Sequence, residues 1–121
     1  MVLVDQMDDR RLRCRQQLSR LWTLTLRQDA GTITPHGAAE LRDATNVILG
    51  EVEAMGRTML DHDGRLAPAA ETFMWVRVAR LATTADQAVD AARRGDTAGL
   101  RAHLRHFETL TSALWTVWDA M

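Results

Sequence analysis

Four histidines, with acidic residues near them, are the side chains of this sequence that could bind a metal ion. His36, His103 and His106 fall in predicted helices, and Glu40 follows His36 by one helical turn. Imidazole and carboxylate groups are common ligands of zinc and iron. His36, however, lies outside the apolar stripe of its helix, and the other two flank opposite sides of theirs. The paired Glu-x-x-His signature of di-iron bundles is also absent, so we expect no metal site and no other cofactor.

Residues for nucleophilic chemistry are few in this sequence. It lacks the acyl-transfer signature Gly-x-Ser-x-Gly, phosphate-binding glycine loops and zinc-type cysteine pairs. The two serines, Ser19 and Ser112, lie in the middle of predicted helices without a nearby histidine. The single thiol, Cys14, is predicted to be a small core residue, because free cysteines are mostly buried. We therefore assign no catalytic residue from these patterns.

One short segment carries residues typical of an RNA-cleaving site. In Arg101–His106 an arginine and a histidine are separated by four residues. This spacing resembles the Arg-x4-His motif of the HEPN ribonucleases, which are helical bundles that act as dimers. The resemblance covers six residues, and Ala102 stands where the family usually has a polar residue. It implies an alternative function as a ribonuclease, in which Arg101 would stabilise the scissile phosphate and His106 would act as acid or base.

These residues are positioned by four predicted helices with three short breaks between them. The helices cover about residues 5–28, 35–60, 68–93 and 97–120 of a single domain that spans residues 1–121. Glycine stops follow the first and third helices, and a proline begins the second and the third. Apolar residues recur in steps of three and four, as in the second helix at Ala38, Leu41, Thr45, Ile48, Val52, Met55 and Met59. The predicted fold is an all-α, antiparallel up-down-up-down four-helix bundle.

One end of that bundle collects large and flexible apolar side chains. In an up-down bundle, the end of the second helix, the start of the third and the end of the fourth lie together. We call this set the Met/Trp-rich end; its members are Met55, Met59, His62, Phe73, Met74, Trp75, Trp115 and Trp118. Three interpretations stay open. The set could be ordinary core, a homodimer interface rich in tryptophan and methionine, or a pocket for an apolar ligand with His62 as its polar contact.

The first helix carries a row of arginines. Arg13, Arg20 and Arg27 repeat every seven residues and form one basic stripe. Such a stripe could bind phosphate or an acidic partner. The second helix offers neutralising carboxylates, at Glu40, Asp43, Glu51 and Glu53. We therefore predict a solvated face of ion pairs within the protein.

Composition limits the function classes. Apolar residues make up 46% of the 121 residues and charged residues 26%, as in a globular protein. The net charge of -1 gives no general attraction to nucleic acid or to anionic membranes. No apolar run reaches the roughly 20 residues of a membrane span, and Met1–Val4 is too short for a signal peptide. A single cysteine suits a reducing compartment, so we expect a cytoplasmic protein.

Arginine supplies all 15 basic residues, and lysine and tyrosine are absent, which indicates a GC-rich bacterial genome. The expected function is that of a small non-catalytic interaction or regulatory module, homodimeric through the Met/Trp-rich end and open to a protein partner. The main alternative is a sensor that binds an apolar small molecule at that end. The HEPN-like ribonuclease is the further alternative.

Overall fold

The chain folds into four α-helices in the computed structural model. The helices are α1 (Val2–Gln28), α2 (Pro35–Asp63), α3 (Pro68–Arg93) and α4 (Thr97–Asp119). The structure describes the backbone of residues 2–28, 34–63 and 68–119, and the side chains of residues 7–25, 34, 36–58, 72, 74–117 and 119. No β-strand occurs in these ranges. The prediction of an all-α fold of four helices is confirmed.

The helix limits follow from local sequence signals. The third helix has the predicted bounds, whereas α1 begins three residues earlier than expected and α2 continues to Asp63. Both extensions occur where no glycine or proline interrupts the chain. At the start of α2, the hydroxyl of Thr34 accepts a hydrogen bond of 3.0 Å from the Gly37 amide, and Pro35 takes the first helical position.

The turn between α3 and α4 both ends one helix and begins the next. Gly95 has a positive φ of 72°. The amides of Gly95 and Asp96 donate to the carbonyls of Ala92 and Ala91, which is the Schellman arrangement at the end of α3. The carboxylate of Asp96 then accepts the Gly99 amide at 2.9 Å and caps α4. A left-handed glycine followed by a capping aspartate therefore makes this connection in three residues.

One apolar cluster connects all four helices. The predicted stripes are confirmed where the side chains are described, since they hold the fully buried large residues Met7, Leu21, Leu41, Ile48, Met55, Met74, Leu81, Leu100, Leu104, Phe107 and Leu114. Thr25, Thr45 and Thr111 are buried as well, and each hydroxyl donates to a backbone carbonyl one turn earlier. These hydroxyls are therefore satisfied inside their own helices.

Contacts between helices follow opposite sequence orders. Along α1 and α2, Arg13 pairs with Glu51, and the later Arg20 pairs with the earlier Glu40. The same reversal holds for α1 and α4, where Arg11 meets Asp119 and Trp22 meets Glu108. The contact of α3 with α4 is the most extensive, and that of α1 with α4 is much sparser. Within the described ranges, no helix has both the length and the apolar character needed to cross a membrane.

Candidate functional site

The Met/Trp-rich end is largely core wherever its side chains are described. Met55 and Met74 are fully buried, Trp115 is 5% exposed, and all three belong to the apolar cluster that connects the helices. Trp75 is half-buried and packs against that cluster. The side chains of Met59, His62, Phe73 and Trp118 lie outside the described residues.

A glycine brings α2 and α3 close together at this end. Gly56 is buried, and a methyl group at its Cα would lie 3.0 Å from the Met74 Cε and 3.3 Å from the Trp75 ring. The thioether and the indole edge therefore pack directly over the α2 backbone. Trp75 nevertheless stays half-buried, and the next residue, Val76, is 55% exposed.

The outer face of α3 carries an uncharged row that begins beside Trp75. Thr72, Val76, Ala79 and Thr83 are all exposed. Their spacing of four, three and four residues places them on one side of the helix. We call this row the α3 face. Solvent-facing helix positions are usually charged or strongly polar, whereas these four positions present only methyl groups and threonine hydroxyls. The exposed Arg80, one turn after Val76, borders the row.

A second feature lies between α1 and α4, where a cleft of about 230 Å³ opens. From α1 it is lined by Arg11, Cys14, Arg15 and Leu18. From α4 it is lined by Thr111, Ser112, Trp115 and Thr116. We call it the α1–α4 cleft. Its described lining contains two guanidinium groups, three hydroxyls, a thiol and an indole, and no carboxylate.

Arg11 is held in place at this cleft by two partners on α4. Its guanidinium donates two hydrogen bonds to the carboxylate of Asp119, one of 2.9 Å. It also lies over the Trp115 ring, 5.3 Å from the ring centroid, in a cation–π contact. The hydrogen bonds from Arg11 lower the pKa of Asp119, and they raise the pKa of Arg11. The pair is therefore charged throughout the physiological range.

Cys14 and Trp115 form the inner wall of the cleft. Burial raises the pKa of the Cys14 thiol to about 11, although the nearby indole of Trp115 acts in the opposite direction. The thiol is therefore protonated at neutral pH. The indole nitrogen of Trp115 is buried and makes no hydrogen bond of normal geometry with the described residues. The Cys14 sulfur is near enough to the indole to affect the thiol pKa, but sulfur is only a weak acceptor for that donor.

The arginines of α1 form ion pairs with α2, as predicted. Glu51 accepts hydrogen bonds of 2.9 Å from both Arg10 and Arg13. Arg20 lies 3.8 Å from Glu40. Desolvation raises the pKa of Glu51, but the hydrogen bonds from Arg13 and Arg10 outweigh it and leave the pKa below its ordinary value. Two of the three stripe arginines, Arg13 and Arg20, thus have carboxylate partners inside the protein, and the side chain of Arg27 lies outside the described residues.

The histidines do not form a cluster in the described part of the chain. His36 is exposed and its Nε2 lies 2.7 Å from a Glu40 oxygen. Across the described residues, no group of three or more histidines, cysteines and carboxylates is placed to hold a metal. Arg101 and His106 both lie in α4, about 140° apart around a regular helix. A single chain therefore does not bring these two side chains to one point.

No protein-family model, curated protein or solved structure matches this chain. The function is therefore inferred from the arrangement of its own residues.

The sequence patterns did not locate the α1–α4 cleft. They placed a pocket at the Met/Trp-rich end, and of the members of that set whose side chains are described, only Trp115 lines the cleft. Two polar residues within the apolar stripes are sequence signals that could have indicated the α1–α4 cleft. Arg11 interrupts the apolar stripe of α1, and Thr111 interrupts the stripe of α4. Polar interruptions on two stripes are informative once the two helices are known to face each other.

Proposed function

We propose that this chain is a small, non-catalytic interaction module of four antiparallel helices that works as a homodimer in the cytoplasm. The up-down-up-down order, in one domain over residues 1–121, is supported by the reversed contacts along the helix pairs. Gly56 meets Met74 near one end of α2 and α3, and Arg42 meets Asp86 farther along. Short breaks between long helices favour the same topology. The buried single thiol, Cys14, suits a reducing compartment.

The observation that carries the dimer proposal is the uncharged α3 face beside Trp75. Large side chains of the Met/Trp-rich end that are used in the core, such as Met55 and Met74, are not available to a partner. Trp75 and Val76 keep accessible area at that end. We therefore assign the dimer contact to α3.

The absence of charge along the four residues of the α3 face favours a two-fold symmetric contact between two copies of the chain. In a two-fold dimer, the same patch meets itself, so any single-sign charge at the centre would face its own copy. Val76, Ala79 and Thr83 bring no such repulsion. The small side chain of Ala79 also allows the two copies of α3 to approach closely.

The test is the sedimentation velocity of the whole chain at tens of micromolar, with two aspartate variants. We expect a dimer for the wild type and for Leu12→Asp, and a monomer for Val76→Asp. Leu12 is a matched control, because it is 53% exposed on α1 and Val76 is 55% exposed on α3. Circular dichroism of each variant checks that the helices are intact. A monomeric wild type, or dissociation by both variants, would overturn the proposal.

The same purified protein can be used to test the two alternative functions, the ribonuclease and the sensor of an apolar molecule. We expect no RNA cleavage, and equal behaviour of the wild type, Arg101→Ala and His106→Ala. Cleavage that is lost in both variants would instead establish the ribonuclease. A bound apolar molecule that copurifies and dissociates on denaturation would support the sensor, and native mass spectrometry detects it directly.

A further inference from the structure

We propose that the α1–α4 cleft binds a small carboxylate that carries a compact apolar group, such as an aromatic acid. This ligand class is set by the residues of the cleft and does not depend on the oligomeric state of the protein. The argument rests on the charge of the cleft, on its free donors, and on its size.

The cleft is complementary to an anion. Two guanidinium groups, of Arg11 and Arg15, line it, and none of the carboxylates in the described part of the chain does. Two acidic groups act on these guanidiniums: Asp119, which accepts two hydrogen bonds from Arg11, and Asp8, whose charge acts on Arg11. Neither of them lines the cleft, so the charged groups that an anion would meet on its described walls are the two guanidiniums.

Arg15 is the guanidinium that remains available. Arg11 uses its donors on Asp119 and its face on the Trp115 ring. Arg15 is exposed and forms no ion pair with the described residues, although its charge acts through space on Asp119 and helps to lower the pKa of that carboxyl. A free guanidinium binds a carboxylate through two parallel hydrogen bonds. Ser112 lies across the cleft on α4, and its hydroxyl supplies a further donor.

The inner wall suits an apolar group rather than a second charge. Leu18, Cys14 and Trp115 supply an aliphatic side chain, a protonated thiol and an indole. The cleft volume of about 230 Å³ exceeds the roughly 150 Å³ of a cavity that holds benzene. It is smaller than the roughly 300–1,000 Å³ of sites for larger ligands. One aromatic ring with a carboxylate is therefore the appropriate size.

Sodium benzoate is the probe, and benzamide is its uncharged counterpart. We would titrate each into the uniformly nitrogen-15-labelled protein and follow the indole and amide resonances, with Trp115→Phe used to assign the Trp115 indole signal. We expect saturable shifts of that signal with benzoate, with a Kd near 1 mM or below for a ligand of this size. Benzamide should bind at least about tenfold more weakly, because it lacks the charge that Arg15 recognises.

Arg15→Gln and Arg80→Gln provide the matched pair of variants. Arg80 is an exposed arginine on α3, away from the cleft, and its loss changes the net charge equally. Arg15→Gln should weaken benzoate binding by at least about tenfold, and Arg80→Gln by less than about twofold. Both substitutions are at exposed positions, so we expect both variants to fold. Their amide spectra check this. Absence of saturable binding, equal binding of benzamide, or equal effects of the two variants would overturn the proposal.

Discussion

The two contacts of α4 with its neighbours are built differently. Toward α3 the contact is the most extensive in the molecule, and α3 supplies the fully buried small residues Ala85, Ala88 and Ala92. Toward α1 the contact is sparse and includes two long side chains, Arg11 and Trp22, which cross to carboxylates on α4. Small apolar side chains let two helices approach closely, whereas long polar ones hold them apart and leave a cleft. We therefore expect stability to depend mostly on the first contact and binding mostly on the second.

The largest loss of stability should come from shortening a buried apolar side chain of α4. Phe107 is fully buried, so Phe107→Ala should lower the free energy of unfolding by about 3–5 kcal/mol. Leu12→Ala, at a position that is 53% exposed, should change it by less than about 0.5 kcal/mol. Urea denaturation followed by circular dichroism measures both values. Similar losses for the two variants would contradict the comparison.

Removing one hydrogen bond between α1 and α4 should cause a smaller loss of stability. The Trp22 indole donates to Glu108 at 2.6 Å, and the bond is partly buried. Trp22→Phe should lower the free energy of unfolding by about 1–2 kcal/mol.

A double-mutant cycle with Glu108→Ala isolates this hydrogen bond. We expect a coupling free energy of about 1 kcal/mol between the two positions. A coupling near zero would mean that the indole contributes only by packing against the core.

The third test uses the pH dependence of stability to measure the contribution of the ion pairs between α1 and α2. Because the pKa of Glu51 is lowered in the folded state, the unfolded chain binds a proton more readily than the native one. The stabilisation is therefore present above the ordinary value of 4.5 and is lost as the pH falls through the lower, folded-state pKa. Glu51→Gln should lower the free energy of unfolding by about 1 kcal/mol at neutral pH, and the difference between the two proteins should shrink as the pH falls below the ordinary value of 4.5.

Glu53→Gln is the control for that comparison. Glu53 is exposed on the same helix and forms no ion pair with the described residues. Its removal should have little effect at either pH. A deficit for Glu51→Gln that stays constant between neutral and acidic pH would show that its hydrogen bonds to Arg10 and Arg13 do not depend on its charge.

The smallest expected change in stability comes from alanine substitutions at two glycines of α2. Gly50 is exposed with no atom near an added methyl group, so Gly50→Ala should stabilise the protein by about 0.5–1 kcal/mol. Gly56→Ala gains the same helix propensity but presses on Met74 and Trp75. We expect its free energy of unfolding to be no higher than that of the wild type. A full gain at Gly56 would mean that the Met74 thioether moves aside freely.

Much of the fold could be predicted because periodicity reports on each helix separately. The alternation of apolar residues identified the buried faces, and the glycine and proline signals located the bounds of α3. The pairing of Arg13 with Glu51 was also predictable, since adjacent helices with opposite charges at facing positions neutralise each other. Each of these inferences needs only local sequence and the order of the helices.

The site could not be predicted in the same way. The cleft depends on how α1 and α4 are rotated about their axes, and these helices are the first and last along the chain. Arg11 interrupts one stripe, but its partner Asp119 is 108 residues away and has no sequence pattern that links it to Arg11. Whether Trp75 faces the core or the surface depends likewise on the close approach at Gly56.

The three-residue turn at Gly95 and Asp96 has a consequence for the order of folding. Loop closure costs more chain entropy as the closed segment lengthens, and this connection is shorter than the six and four residues of the other two. The α3–α4 pair thus forms from one contiguous stretch with the least entropy loss. Contacts of α1 with α4 span 86 to 108 residues and come late, since distant contacts slow folding. The contact of α1 with α4 is then expected to form after the contacts between helices that are consecutive in the chain, and its formation completes the cleft.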